Sequence, residues 1–376
     1  MKNLLVIALL CSLYLASCSN SETYLEISVD VPELEWTWVP YDSDVIRISG
    51  RTNYEKGDFV ILSWSASSIT VAFVGTALEI KSSTNNLLYL DVFVDGEEDP
   101  SSLVAMGYSL DEPLVLPVVS NLPYGTHVVT LYKRSGSNFG DWYVYGLRVL
   151  GQADKELLPK APEHKIEFVG NSITCGDDVL MPDSVHDFDL FYESSYYGYA
   201  GQTARILHAE EHNICSGGHG IYINFDGTTS MTLPFMYNRT GSFSTAVVVW
   251  DHSKWHPDIV VVNLGTNDFA SEKNDSAKFV NATTKFVRKI RSYHPEAKIV
   301  LLDGPMLTGE YMRKCRQYLD VAKETLEDEG IKDLYRFSLE PDGESPYGIN
   351  PHPNKEKGLK DAESLSAWIR SEFGWD

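Results

Sequence analysis

Basic residues are scarce in this chain. Its 376 residues include 31 Lys and Arg against 53 Asp and Glu, a net charge of −22. A surface so short of cations has little to offer a phosphate backbone, which argues against nucleic acid as a partner. Metal-ligand patterns are missing as well. No C-x-x-C pair occurs among the 5 cysteines, and no Cys/His spacing suits zinc, so a zinc site is not expected. Helical periodicity is absent from about the first 150 residues. What the chain does have is apolar material, 43% hydrophobic and 12% aromatic, enough for the cores of two domains.

The first segment, "MKNLLVIALLCSLYLASCSN", has a basic start at Lys2 and an apolar run too short and too early for a stable membrane span. It ends in Leu15-Ala16-Ser17-Cys18, which resembles a bacterial lipobox. Residues 1–17 are therefore expected to be a lipoprotein signal peptide and Cys18 a lipid-attachment site. An ordinary secretory signal cut nearby is the rival reading. Either way the protein is expected to be exported, to the periplasm or to an outer-membrane or cell-surface position, touching membrane only through the lipid. With Cys11 removed and Cys18 lipidated, Cys175, Cys215 and Cys315 remain, an odd number. Cys175 and Cys215 both flank candidate site loops, and whether they pair is open.

From residue 24 to 150 the segments "VIRISGR", "FVILSW", "SITVAFVG", "LYLDVFVDG", "HVVTLYKR" and "WYVYGLRVLG" alternate apolar and polar positions. Gly, Asn, Asp and Pro punctuate them, the pattern of an antiparallel β-sandwich. A polar linker follows at 151–164. From 165 to 376 the period changes. "KIEFVG", "DIVVVNLG", "AKIVLLDG" and "DLYRFSL" are short, continuous apolar runs, as parallel strands buried on both faces require. Helical patterns lie between them. In "SAKFVNATTKFVRKIRSY" residues Phe279, Thr283, Phe286, Val287 and Ile290 fall on one face. The fold class is thus an N-terminal sandwich followed by a three-layer α/β/α domain with a parallel sheet.

Ligand sites in such sheets lie at the carboxyl ends of the strands, and four residues stand there or beside them. Ser172 follows "KIEFVG"; a serine so placed also serves to cap a helix. "NICSGGHGI" gathers glycines through which a backbone N–H can approach a ligand. Asn267, in "GTND", offers a side-chain amide, though a turn explains Asn-Asp as well. His352 lies late, in "GINPHPN". A serine attacking a carbonyl needs a base, and the oxyanion it creates needs donors already in place. Serine, backbone donor, amide and histidine occur here in that order.

These blocks resemble those of the SGNH (GDSL-like) hydrolases, with "GNSIT" as the first. "LPYGTHVVTLYKR", "GDWYVYGLRVLG", "ESSYYGYAGQTARIL" and "WDHSKWHPDIVVVNLGTND" are more specifically similar to carbohydrate esterase family 2. That resemblance implies a jelly-roll sandwich joined to an SGNH domain, and a serine-type esterase removing acetyl groups from plant polysaccharides with no metal or organic cofactor required. It implies Ser172 as nucleophile, His352 as base, and the N–H groups of Ser172 and Gly218 with the Asn267 amide as oxyanion donors. Trp250, ahead of the third block, is a candidate ring for stacking on a sugar or a packed tryptophan. The superfamily's carboxylate shortly before the histidine is absent. A Ser172–His352 dyad is therefore expected, its imidazole held by a backbone carbonyl or by Asn350, with Asp342 or Glu344 folding back as the alternative. The other readings are an SGNH esterase acting on lysophospholipid or on cell-wall acetyl groups, and a glycan-binding lipoprotein whose esterase domain is inactive.

Overall fold

The structure, a computed structural model, describes residues 32–375 apart from 55–56, 183–186, 243–246 and 271–273. The expected signal peptide and Cys18 lie outside the described residues.

The N-terminal part is built of antiparallel strands: β1 (Trp36–Pro40), β2 (Ile46–Ser49), β3 (Thr52–Asn53), β4 (Val60–Leu62) and β5 (Ser68–Thr84). They are followed by β6 (Leu88–Val94), β7 (Ser102–Met106), β8 (Leu114–Val119), β9 (Gly125–Lys133) and β10 (Trp142–Ala153). No helix interrupts them among the described residues. β5 organises the layer, pairing with β10 from Phe73 to Thr84, with β2 and β9 over its first half and with β8 over its second. Alternation along the strands places Val71, Phe73, Leu78, Ile80, Val129, Leu131 and Leu147 in one closed core. The last strand runs past residue 150. A bulge at Leu150/Gly151 lets Gly151–Ala153 go on pairing with β5, so the segment expected as linker begins inside the sheet.

The C-terminal part has β11 (His164–Gly170), β12 (Ala209–Cys215), β13 (Ile259–Asn263), β14 (Lys298–Asp303) and β15 (Leu334–Ser338), all parallel, in the order β12-β11-β13-β14-β15. Its helices are α1 (Ser172–Cys175), α2 (Tyr199–Ile206), α3 (Leu233–Met236), α4 (Thr266–Ala270), α5 (Ser276–Tyr293), α6 (Gly309–Asp328) and α7 (Lys355–Phe373). Successive strand residues face opposite sides of the sheet. Val260, Val262, Ile299 and Leu301 meet α5 and α6 on one face, while Ile259, Val261, Val300 and Leu302 meet α2 and α7 on the other. That makes three layers. The five residues of the apolar stripe in α5, from Phe279 to Ile290, are all buried.

The two parts are joined by buried polar contacts as well as by chain. Arg51, ahead of β3, reaches across to Glu167 of β11 at 2.8 Å, with both side chains essentially inaccessible. The same guanidinium donates to the carbonyl of Arg239 at 3.2 Å and to that of Tyr237, while the Tyr237 hydroxyl donates to Glu167 at 2.6 Å. Removing one partner of such a pair leaves the other charge buried and unpaired. Arg51→Met is therefore expected to lower stability by about 3–5 kcal/mol, read as a reduced urea midpoint. A change below about 1 kcal/mol, the range of an exposed pair, would show that the pair does not clamp the two parts.

Candidate active site

Because β11 lies between β12 and β13, the connections reverse direction at β11/β13, and the crevice above their carboxyl ends is where ligands bind in sheets of this order. Ser172 leaves β11 there. Gly170 makes the exit possible: a Cβ at that position would fall 2.0 Å from Thr174 Oγ1. Asn171 caps α1, its side chain accepting the Ile173 N–H at 3.1 Å. Ser172 is then the first helical residue, a position whose N–H has no acceptor within the helix. Its side chain is largely buried, with 7% of the residue exposed.

The second block forms a turn closed by the His219 N–H on the Ser216 carbonyl at 3.4 Å. Gly217 is the glycine set against the nucleophile's loop. A Cβ there would lie 2.7 Å from Asp177 Oδ2 and 3.8 Å from Ser172 Cβ. Gly218 follows with φ +75° and open space around it, and it lines an adjoining cleft of about 440 Å³ with His219 and Phe225. Among the described residues no protein group accepts the N–H of either glycine. The open pairing question has an answer here. Cys175 of α1 and Cys215 at the end of β12 form a disulfide, tying the serine's helix to the glycine turn, while Cys315 is free and buried.

Asn267 lies in α4, just beyond β13, with 6% of its surface exposed. One of its amide hydrogens goes to the His219 carbonyl at 2.9 Å, which fixes the side chain and leaves the second hydrogen for a ligand. The next residue was not singled out from the sequence. Asp268 is fully buried and accepts the N–H groups of Ile221, Tyr222 and Ile223 at 3.0, 2.8 and 3.0 Å. Burial pushes its carboxyl up to about 6, although those amides favour the charged form. "GTND" therefore carries two tasks, the amide on Asn267 and, on Asp268, a clamp for the loop beside it.

His352 is placed by a loop stitched to the segment after β14. The Asn350 N–H donates to the Met306 carbonyl at 2.7 Å and the Thr308 N–H to that of Gly348 at 2.9 Å. Two residues on, Asn354 caps α7 by accepting the Lys357 N–H at 2.9 Å. The expected orienting group is corrected by the geometry. His352 Nδ1 lies 2.8 Å from Asp178 Oδ2, so a carboxylate holds the imidazole, and neither a backbone carbonyl nor Asn350 does. Asp178 sits six positions after Ser172, with φ +58°, a left-handed conformation that aspartate tolerates better than most residues. Asp342 and Glu344, the acids nearer in sequence, are exposed, and Asp342 pairs with Lys360 at 3.3 Å. Burial alone would lower the His352 pKa. The Asp178 hydrogen bond and the Asp177 and Asp178 charges outweigh it, holding the imidazole above its usual value.

Trp250 is also corrected. It is 6% exposed, its ring lying under the Arg51 guanidinium at 5.8 Å and edge-on to His212 at 6.3 Å, so it packs between the two parts of the chain and has no face for a sugar. An exposed ring does stand beside the glycine turn: Phe225, at 65% exposure, its N–H bonded to the Gly218 carbonyl at 2.9 Å.

His352 and Asp178 open onto a cleft of about 470 Å³, lined also by Met181, Pro305, Asn350 and Lys357. That volume suits a small ligand or a segment of a polymer. The one convergence of metal-type ligands among the described residues is Cys175, Asp177 and Glu193, with atoms within 4.8 Å of one another. The Cys175 sulfur is committed to the disulfide, so the set does not fit a metal. A serine at a helix start, N–H groups without internal acceptors, an amide with one hydrogen left over, and a histidine held by a carboxylate are together equipped for acyl transfer.

Residues 168–356 match the GDSL-like Lipase/Acylhydrolase family and residues 48–162 the Carbohydrate esterase 2 N-terminal family. The chain is 31% identical over 335 residues to Cellulase/esterase CelE of Acetivibrio thermocellus, covering 89% of this chain but 40% of CelE. It is 27% identical to an Acetylxylan esterase / glucomannan deacetylase of Cellvibrio japonicus over 97% of each. A solved family two carbohydrate esterase from Clostridium thermocellum, in complex with cellohexaose, superposes with a TM-score of 0.81 at 31% identity, over 88% of this chain and 100% of that one. A second, from Cellvibrio japonicus, has the same fold, with a TM-score of 0.81 at 23% identity over 91% and 99%. With both halves matched in order and the whole of a solved member covered, this chain belongs to carbohydrate esterase family 2.

Proposed function

We propose that this carbohydrate esterase removes O-acetyl groups from plant polysaccharides such as xylan and glucomannan, through an acyl-enzyme on Ser172. The observation that carries the mechanism is the His352–Asp178 hydrogen bond on the loop that also bears Ser172. In this reading His352 Nε2 takes the Ser172 proton as Oγ attacks the acetyl carbonyl. The Ser172 and Gly218 N–H groups and the Asn267 amide receive the oxyanion. The imidazolium, stabilised by Asp178, protonates the departing sugar hydroxyl. A water, deprotonated by the same histidine, then releases acetate.

The substrate class is supported by the names of the relatives and by the shape of the site. The cleft is open and edged by Asp178, Asn350, Asn354 and Lys357, which suits hydroxyl-rich chains. Phe225, beside the glycine turn, is the ring we assign to contact a sugar. The test is acetate release from acetylated xylan and acetylated glucomannan, measured beside a long-chain ester. Release from a polysaccharide, with the long-chain ester hydrolysed at least a hundredfold more slowly, is expected. Preference for the long-chain ester would overturn the reading.

We further propose that the chain is an exported lipoprotein anchored through Cys18, on the strength of Leu15-Ala16-Ser17-Cys18. Among the described residues no helix is long and apolar enough to cross a membrane. Metabolic labelling with a palmitate analogue should tag the wild type and spare Cys18→Ser. An untagged wild type would leave simple secretion.

A further inference from the structure

Two buried carboxyl groups lie directly behind the proposed catalytic line. Asp177 stands in the turn after α1 and Glu193 at the end of the following loop; 8% of the first and none of the second is exposed. Oxygens of the two lie within 4.8 Å of each other. Glu193 Oε1 accepts the Gly136 N–H at 2.5 Å, from the sandwich. Glu193 Oε2 and Asp177 Oδ1, however, are buried without any hydrogen-bond partner. Two ionised carboxylates so close in a low-dielectric interior repel strongly, and each orphaned oxygen would forfeit its solvation. One proton on the pair removes the repulsion between them.

The surroundings favour one remaining negative charge. Lys133 and Arg134, at the end of β9, favour the charge on Glu193 and His352 favours it on Asp177, while the Asp178 carboxylate opposes a second one. The Lys133 ammonium is itself buried, held by the carbonyls of Ser135 at 2.7 Å and Gly136 at 3.3 Å. Burial pushes both acids up, joined by the Glu193 charge at Asp177 and by the Asp178 charge at both, against those cations.

We propose that Asp177 and Glu193 share a single proton and serve as a positioning pair for the site. The pair holds Asp177 Oδ2 against Gly217, where a Cβ would meet it at 2.7 Å, and so fixes the glycine turn beside Ser172. Its one negative charge supports the His352 imidazolium together with Asp178. The sandwich takes part in the site through Gly136 and Lys133. The role in catalysis rests on the function proposed above; the shared proton does not.

Infrared spectroscopy of the full chain at neutral pH tests the proton directly. A carbonyl stretch of a buried protonated carboxyl is expected in the wild type, lost from the difference spectrum in either Asp177→Asn or Glu193→Gln. In each single variant the remaining acid ionises and accepts the new amide's hydrogen. Each single variant therefore keeps one negative charge, and the acid limb of kcat/KM stays in place. Asp177→Asn/Glu193→Gln loses that charge, His352 becomes less basic, and the limb moves to lower pH. Absence of the carbonyl band in the wild type would overturn the proposal. So would single variants that already move the limb, or a limb that responds to calcium and to a chelator. Absence of the band from wild-type protein overturns the shared proton whether or not Ser172 is the nucleophile, and its loss in either single variant assigns it to this pair.

Discussion

Alanine at Ser172 is expected to lower kcat/KM on an acetylated polysaccharide by about 10⁵–10⁶-fold, with no change in melting temperature beyond a degree or two. The hydroxyl is the only group removed. Asn171 still caps α1, and the disulfide still ties that helix to β12. The Ser172 N–H is backbone and survives, as do the Gly218 N–H and the Asn267 amide, so the residual rate should match what oxyanion donors alone give, about 10³–10⁴-fold over water. Acetate release and thermal melting of the purified variant check both halves. Retention of more than about one per cent of the rate would remove Ser172 from the chemistry.

Alanine at Asp178 should be nearly as damaging, with a loss of about 10³–10⁴-fold. The carboxylate fixes the tautomer in which Nε2 is free to act as base, and it stabilises the imidazolium that forms. Asp178→Asn separates these effects. It keeps the size of the side chain and removes the charge that raises the His352 pKa. Activity requires the neutral imidazole, so it rises with pH through that pKa. Losing the charge lowers the pKa, and the acid limb of kcat/KM should move to lower pH even as the plateau falls. Glu344→Ala, at an exposed acid close to His352 in sequence, is the control and should be silent. A loss of less than tenfold at Asp178 would return the site to a dyad.

Much of the site was legible because the sheet obeys a local rule. Apolar runs marked β11 and β13, and ligand groups belong at their carboxyl ends, so Ser172 and Asn267 stood out as candidates by position, while their roles came from the order of the blocks and the resemblance. His352 needed the resemblance, since nothing in "GINPHPN" by itself separates a base from a turn. The orienting acid was sought beside the histidine and lies 174 residues earlier, in the doublet Asp177-Asp178 after the serine's own helix. Only the closure of the α1 loop against the segment before α7 brings the two together. Trp250 failed for a related reason: proximity in sequence to "GTND" says nothing about which side of β12 the ring packs on. The Cys175–Cys215 pairing likewise needed the β11–β12 register, which sets Gly170 beside Cys215.

The most direct measurement is a rapid acid quench of the full chain during turnover of an isotope-labelled acetyl ester, followed by peptide mass spectrometry. The label is predicted on the peptide containing Ser172, at sub-stoichiometric level in the wild type and absent from Ser172→Ala. Acetate released at the wild-type rate with label never found on Ser172, or found on another residue, would contradict an acyl-enzyme formed there.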